Sequence, residues 1–290
     1  MTCSAALPDV LKSRYWKEAL STAQAIPLRV CLAITIVTFF LTAAAAPWLL
    51  QTHDPLAIDL TSSLQAPSPS HWLGTDQSGR DLYSRIVEGA GQSLTIGLGA
   101  TALSVSIALV LGFAAGLCGG VIDNVLSRLL DALFALPVLF LALLFVAVFG
   151  TTVLTLVIAV GIGTAPGYAR MIRGQVLSVK GAGYVEAAKA LGHPYWRIVR
   201  RHILPNAMNP LTAMITLGVG QAIIWASGVA FLGLGVPPPA PEWGALLNAG
   251  RNYVIYAWWL EIMPGLAVVI FALSVTVIGR YLQNRLEGKG

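Results

Sequence analysis

The cysteines and histidines of this sequence are too scattered to indicate a metal centre or a catalytic pair. Cys3, Cys31 and Cys118 are odd in number, far apart and outside any metal-ligand spacing, so a disulfide framework is not expected either. The histidines all fall outside the apolar segments, and none pairs with another at ligand spacing: His53, His71, His193 and His202. The sequence therefore predicts no metal bound by this chain.

The groups that would bind nucleotides or conduct ions are also missing. There is no G-x-x-x-x-G-K-[ST] loop to cradle nucleotide phosphates, so any ATP must be used by another chain. Asp131, Arg170 and Glu261 stand at the ends of apolar segments, and no charge stands in the middle of one. Ion-coupled carriers and intramembrane hydrolases need such buried groups. We therefore expect a non-catalytic chain with no cofactor of its own.

One polar stretch, residues 184–206 (YVEAAKALGHPYWRIVRRHILPN), interrupts the apolar chain. An apolar stripe with helical spacing opens it: Tyr184, Ala187, Ala188 and Leu191. Gly192 is typical of a helix end, and Pro194 of the first turn of a new helix. In the second helix an apolar face opposes a basic one: Tyr195, Ile198 and Val199 against Arg197, Arg200 and Arg201. Pro205 marks the start of the next apolar segment.

This predicted helix pair has two interpretations. It could lie on the membrane surface with its arginines on lipid phosphates, or it could dock into a cytoplasmic partner. Glu186 could pair weakly with Lys189, three residues on. Ala187, Ala188 and Ala190 favour a close protein contact slightly, since a lipid anchor would gain from larger apolar side chains.

The composition places these groups in a membrane protein. Of the 290 residues, 56% are hydrophobic and only 11% are charged, whereas a soluble protein carries about 25% charged residues. The net charge of +5 fits basic cytoplasmic loops better than a nucleic-acid partner. We therefore expect an all-α integral membrane protein in contact with the lipid bilayer.

Uncharged runs long enough for membrane helices define a single transmembrane domain, residues 30–290, after an N-terminal segment 1–29. Six spans are predicted, at about 30–50, 93–117, 129–149, 152–169, 207–233 and 262–279. Two loops, 51–90 and 236–261, separate them on one side, and the polar region 170–205 lies on the other. Pro137 and Pro166 should bend their helices.

The distribution of basic residues sets the orientation. With the N-terminus in the cytoplasm, 15 of the 18 Lys and Arg residues fall inside and only Arg80, Arg85 and Arg251 fall outside. Both termini and region 170–205 are therefore predicted to be cytoplasmic.

Two further groups of residues have open interpretations. Asp76, Gly79, Arg80 and Asp81 either build a turn, with Asp76 capping the following helix, or contact a partner outside the membrane, and the turn is favoured. A short helix after this turn, with Leu82, Ile86 and Gly89 on one face, could lie at the membrane interface before span 2. Small residues recur four apart on span 2, where packing inside the bundle is favoured over a dimer seam: Gly112, Gly116 and Gly120.

From about residue 28 to 279 the chain resembles the permease subunits of ABC importers. Their cytoplasmic signature is matched by Glu186-Ala187-Ala188, Gly192, Ile198 and Leu204-Pro205. The segment HWLGTDQSGRDLYSRI, residues 71–86, is similar to the hallmark of the C-type permeases of dipeptide, oligopeptide and nickel importers. DALFALP, FLGLG and PEWG also match. The chain departs at residues 279–284, GRYLQN, where the family often has G-D-G-L-R-D, which puts a contact of that tail with the ATPase in doubt.

The resemblance implies a bacterial inner-membrane machine of several chains. A related B-type permease would complete the path as a heterodimer, two ATPase subunits or domains would use ATP and Mg, and an extracytoplasmic binding protein would deliver the solute. A coupling helix at about 183–192 would sit in a groove of the ATPase, with Glu186, Ala187, Ala188, Leu191, Gly192, Arg197 and Pro205 as its coupling residues. Peptides are the expected solutes, with nickel, a metal chelate or an opine as alternatives. A stand-alone channel or carrier is the competing class.

Overall fold

The computed structural model describes residues 27–208 and 211–286, in which helices are joined by loops and the β-structure is one isolated bridge between Thr75 and Asp81. The predicted N-terminal segment 1–29 lies outside these residues apart from its last three positions. Eleven helices are described here: α1 Leu28–Ala45, α2 Leu82–Cys118, α3 Gly120–Ala135, α4 Val138–Phe149, α5 Val153–Lys180, α6 Gly183–Ala190, α7 Tyr195–Ile198, α8 Leu204–Met208, α9 Leu211–Val229, α10 Trp243–Gly250 and α11 Trp259–Leu286.

Five stretches of helix in the described part of the chain are long and apolar enough to cross a membrane, which confirms the all-α membrane class. They are Leu28–Ala45, Leu82–Cys118, Val153–Lys180, Met214–Leu234 and Trp259–Arg285. A sixth would be the bent pair α3 and α4, if the two together count as one span.

The span predicted at 129–149 is broken near Pro137, where a bend was expected: the chain turns by 84° between α3 and α4. Leu136 adopts an extended conformation, as a residue before proline usually does, and Pro137 has no N–H to continue the helix. At 12 residues, α4 is about 18 Å long, too short for a hydrocarbon core of about 30 Å. The break predicted at residues 149–152 is present, with Gly150 at a φ of 78°.

Helix α2 is longer than predicted. Its 37 residues span about 55 Å, so the expected interfacial helix and span 2 form one continuous element. Its first turns face protein: Leu82 and Ile86 are buried, and a Cβ on Gly89 would overlap the Pro241 carbonyl. Helix α5 likewise continues beyond the predicted 169 to Lys180.

The small residues of α2 pack against α5. A Cβ on Gly112 would lie 2.7 Å from the Ala169 carbonyl oxygen, and one on Gly116 would lie 2.7 Å from the Val176 side chain. Gly120 is different: it follows the end of α2 at a φ of 57°, with nothing within 4 Å of a built Cβ. The prediction of helix packing at Gly120 is therefore wrong, since the helix ends at Cys118, before it.

Candidate functional site

The hairpin of residues 183–208, which the sequence predicts to be cytoplasmic, is fixed to the bundle by one apolar face. Val185, Ala188 and Ile198 are buried and share a core cluster with Ile172 and Val176 of α5. Because small and β-branched side chains fill this contact, α6 lies close to α5. The hairpin is therefore a packed element and not a loose loop.

The opposite face of α6 is open. Leu191 is 77% exposed and Tyr184 is 47% exposed, and Glu186 and Ala187 are exposed beside them. Of the predicted apolar stripe, only Ala188 packs inside. The inward face instead centres on Val185, which leaves a solvent-facing surface of small and apolar side chains. Within the described residues Glu186 forms no ion pair, with Lys189 or with another group.

Gly192 ends α6 in a left-handed conformation, with a φ of 74°. The Gly192 N–H donates to the Lys189 carbonyl at 2.9 Å, and the His193 N–H donates to the Ala188 carbonyl at 3.2 Å. These two bonds form a Schellman motif, the arrangement that commonly closes a helix at glycine. No atom lies within 4 Å of a Cβ built on Gly192, so within this chain a substitution there would act through backbone strain and not through a clash.

The second half of the hairpin carries the basic residues. Arg197, Arg200 and Arg201 are exposed and line one open hollow, and Pro205 is exposed in α8. Ile198 and Val199 are buried as predicted, but Tyr195 is half exposed. Its hydroxyl is used instead as a donor, to the Leu117 carbonyl at 3.1 Å.

That bond and two from Lys180 satisfy carbonyls at the C-terminal end of α2, the second Lys180 bond going to Gly116 at 3.4 Å. The Lys180 ammonium also donates to the Leu117 carbonyl at 3.0 Å. The last carbonyls of a helix have no partner within it, so donors from outside are needed. Two elements, the end of α5 and the start of α7, are thereby joined to the end of α2.

Ion pairs join α3 to α5 nearby. The Arg173 guanidinium donates two hydrogen bonds to the carboxylate of Asp123, the one from Nη2 being 2.7 Å long. Arg170 reaches Asp131 at 2.8 Å and lies over the ring of Phe134. Asp131 and Arg170, two of the residues predicted at span ends, therefore join α3 to α5 on the same side as the hairpin.

On the opposite side, Asp76 and Arg80 close a tight turn. The Asp76 carboxylate accepts the Arg80 N–H at 3.0 Å and the Arg80 Nε–H at 2.7 Å. Asp76 does not cap α2, contrary to the prediction, because the helix starts only at Leu82. The cap is Asp81, whose carboxylate accepts the Ser84 N–H at 2.8 Å.

Burial favours the structural role for this turn over contact with a partner. Asp76, Arg80 and Asp81 are all buried, and a Cβ on Gly79 would overlap the backbone of Asp59. Gly79 also has a φ of 74°, which a side chain would disfavour. The turn therefore holds the loop against the first turn of α2.

A cavity of about 410 Å³ opens beside this turn. Its polar walls carry Arg80, Arg85, Asn248 and Asn252. Since Asp76 pairs with Arg80 and lies 3.6 Å from Arg85, the three groups leave one net positive charge at the wall. Such a wall attracts a carboxylate.

Two features here were missed by reasoning from the sequence. Glu242 is buried and caps α10, accepting the N–H groups of Gly244 and Ala245. Burial raises the pKa of its carboxyl above the ordinary value, although these hydrogen bonds and one from Ser93 act in the opposite direction. The sequence matched PEWG as a family motif, which contains Glu242, but the motif did not predict that this glutamate is buried.

The second missed feature is a histidine pair. His53 and His71 lie side by side with their ring centroids 4.8 Å apart. The sequence showed only that no histidines pair at ligand spacing along the chain, and it did not predict this approach in space. The two histidines are 18 positions apart in the sequence, and an irregular loop brings them together, so no periodic pattern could predict their contact.

Comparison with known proteins assigns the chain to a family. The model of the binding-protein-dependent transport system inner membrane component matches residues 108–288. The chain belongs to this family, whose members are multi-pass permease subunits of the inner membrane and not themselves catalytic. The predicted resemblance to ABC-importer permeases is thereby confirmed.

Two similar proteins support this family assignment, and one solved structure has a similar fold. The chain is 40% identical to the probable D,D-dipeptide transport system permease protein DdpC of Escherichia coli, over 91% of this chain and 88% of that one. It is 37% identical to the dipeptide transport system permease protein DppC of Alkalihalophilus pseudofirmus, over 94% and 90%. A chain of the inward-facing MetNI methionine ABC transporter has a similar fold, with a TM-score of 0.59 at 18% identity, over 70% of this chain and 96% of that one.

Proposed function

We propose that this chain is the C-type permease subunit of an ATP-driven, binding-protein-dependent importer of di- and oligopeptides. The observation that carries the proposal is the cytoplasmic hairpin: one face is packed on α5, and the other exposes Tyr184, Ala187 and Leu191. A rigid element with an open apolar face suits a groove in a partner protein better than it suits lipid, since Ala187 adds little to a lipid anchor. In this proposal the chain hydrolyses no ATP itself, and its partner subunits bind the nucleotide.

The partners follow from this role. Two cytoplasmic ATPase subunits or domains bind ATP and Mg and receive α6 in a groove. A B-type permease forms the other half of the path as a heterodimer, and a binding protein delivers the solute to the outer loops. The distribution of basic residues supports a cytoplasmic position for the hairpin and both termini.

The mechanism is alternating access driven by the ATPases. ATP binding moves the groove and carries α6 with it, and hydrolysis resets the motion. Coupling of this kind needs an element with two discrete positions that both sites can bias. The Schellman closure keeps α6 and α7 at a defined angle, and Tyr195 and Lys180 connect the displacement to the end of α2.

Peptides are favoured as solutes by two observations. Both relatives described above carry dipeptide transport in their names. The positively charged wall of the outer cavity also suits the terminal carboxylate of a peptide. Nickel, a metal chelate or an opine remains the alternative cargo, and the ligand of the cognate binding protein decides between them.

Reconstitution tests the proposal. With the B-type permease, the ATPases and the binding protein in proteoliposomes, dipeptide should stimulate ATP hydrolysis and enter the lumen. Omission of the ATPases should abolish uptake. Dipeptide uptake by this chain alone without ATP would instead establish the competing class, a stand-alone channel or carrier.

A further inference from the structure

Three potential metal ligands converge where the outer loop meets the start of α2. The ligand atoms of His53, His71 and Asp81 all lie within 4.8 Å of one another. Nδ1 of His71 is 2.9 Å from Oδ1 of Asp81, and Nδ1 of His53 is 3.8 Å from the same oxygen. Around a transition metal with bonds of about 2.0–2.1 Å, ligand atoms stand roughly 3.3 Å apart, so small rotations of the two rings suffice.

The cluster is held in place by groups around it. The buried Ser84 hydroxyl accepts the N–H of His53 at 3.0 Å and that of Thr52 at 3.3 Å, which pins the backbone before the first ring. Asp81 Oδ2 accepts the Ser84 N–H and the Thr52 hydroxyl, which leaves Oδ1 directed toward the histidines. Such supporting bonds orient the ligands of protein metal sites.

Solvent reaches the cluster from one side. The Asp81 side chain is almost fully buried, whereas that of His53 is 42% exposed. A hydrated ion could therefore approach the rings from outside while the carboxylate stays fixed. His53 Nδ1 also lies 3.0 Å from the Thr52 hydroxyl, a bond that ring rotation would exchange for the metal.

We propose that His53, His71 and Asp81 form a site for a divalent transition-metal ion of the zinc type, with one coordination position left to water. Two imidazoles and one carboxylate suit such ions, whereas Mg²⁺ prefers oxygen ligands alone. The ion would connect three segments: the loop after α1 at His53, the loop at His71, and Asp81 at the N-terminus of α2. It would thus clamp the outer loop on the helix. This site is independent of the proposed transport role and of the cargo.

Zinc titration of the full-length permease tests the proposal. The protein is purified in detergent without a polyhistidine tag and titrated with Zn²⁺ by calorimetry, with Mg²⁺ as the comparison ion. Wild type should bind one Zn²⁺ per chain at this site, and Co²⁺ should give the visible absorption of a low-coordinate nitrogen-and-oxygen site. Zn²⁺ affinity should fall at least about 10-fold in His53→Ala and in His71→Asn.

Controls come from the chain itself. His193→Ala and His202→Ala, on the hairpin, should bind Zn²⁺ as wild type does. His53→Ala alters an exposed side chain and should fold normally, so it decides the matter even if His71→Asn does not. Unchanged Zn²⁺ affinity and an unchanged Co²⁺ spectrum in His53→Ala would overturn the proposal, as would the absence of Zn²⁺ binding by the wild type.

Discussion

At the scale of single residues, Glu242 is a carboxylic acid placed where its charge is disfavoured. Its burial between α10 and α2 raises its pKa. A raised folded pKa means that its contribution to stability is present below the unfolded pKa, about 4.3, and is lost as pH rises through the folded value. The side chain of Glu242→Gln cannot ionise. The difference in melting temperature between this variant and wild type should therefore shift in favour of the variant as pH rises.

Melting curves in detergent at pH 5 and pH 8 check this expectation. The exposed Glu186→Gln serves as the control and should show no such trend. If the difference between Glu242→Gln and wild type stayed constant with pH, the burial of Glu242 would not matter energetically.

Tyr195 offers a second test at this scale. Tyr195→Phe removes the hydroxyl that donates to Leu117 and should lower the free energy of unfolding by about 0.5–1.5 kcal/mol. The effect should stay modest, because Lys180 still donates to the same carbonyl. Tyr184→Phe, which removes a hydroxyl from the exposed face of α6, should be nearly neutral, and chemical denaturation compares the two. Equal stabilities would mean that the Tyr195 bond is not made.

At the scale of the elements, local chemistry predicted the breaks well. Gly192 ends α6 in the conformation expected, and the break around Gly150 separates α4 from α5. Pro137 was expected to bend a span, but the size of the bend was not predictable. A proline removes one hydrogen bond and crowds the preceding residue, whereas the angle depends on what the next helix packs against.

Helix length was predicted less well. Arg85 and Glu88 excluded the start of α2 from the apolar run, although both lie in the helix. A hydropathy pattern identifies residues that can face lipid. It does not predict how far a helix continues beyond them when the continuation is buried against protein. The burial of Arg85 depends on Asp76 and on loops 154 positions away, as its bond to the Pro239 carbonyl shows.

The ion pairs between α3 and α5 allow a prediction about how these elements are joined. Double-mutant cycles with Asp123→Asn and Arg173→Gln should give a coupling energy of about 1 kcal/mol or more, since two charged hydrogen bonds are lost. The more exposed pair Asp131 and Arg170 is the matched control and should give about 0.2–1 kcal/mol. Denaturation in detergent measures both, and a larger value for the second pair would contradict the account.

At the scale of the whole molecule, the structure links two faces of one bundle. The hairpin packs on α5 and is tied to the C-terminal end of α2, and the N-terminal end of α2 begins at the turn beside the cavity of about 410 Å³. A long helix held at both ends can transmit a displacement of the hairpin to the outer side. The sequence indicated both ends through motifs, but their connection by a single helix came only from the structure.

Peptide-stimulated ATP hydrolysis by the reconstituted importer with Gly192→Val tests directly whether α6 couples the ATPases to the membrane domain. Gly183→Val is the matched control, since both glycines have open space around them and only Gly192 has a positive φ. We expect that Gly192→Val inserts and assembles but loses most of the stimulation, while Gly183→Val retains it. Normal stimulation and uptake with Gly192→Val would contradict the claim that ATP-driven motion enters the membrane domain through α6.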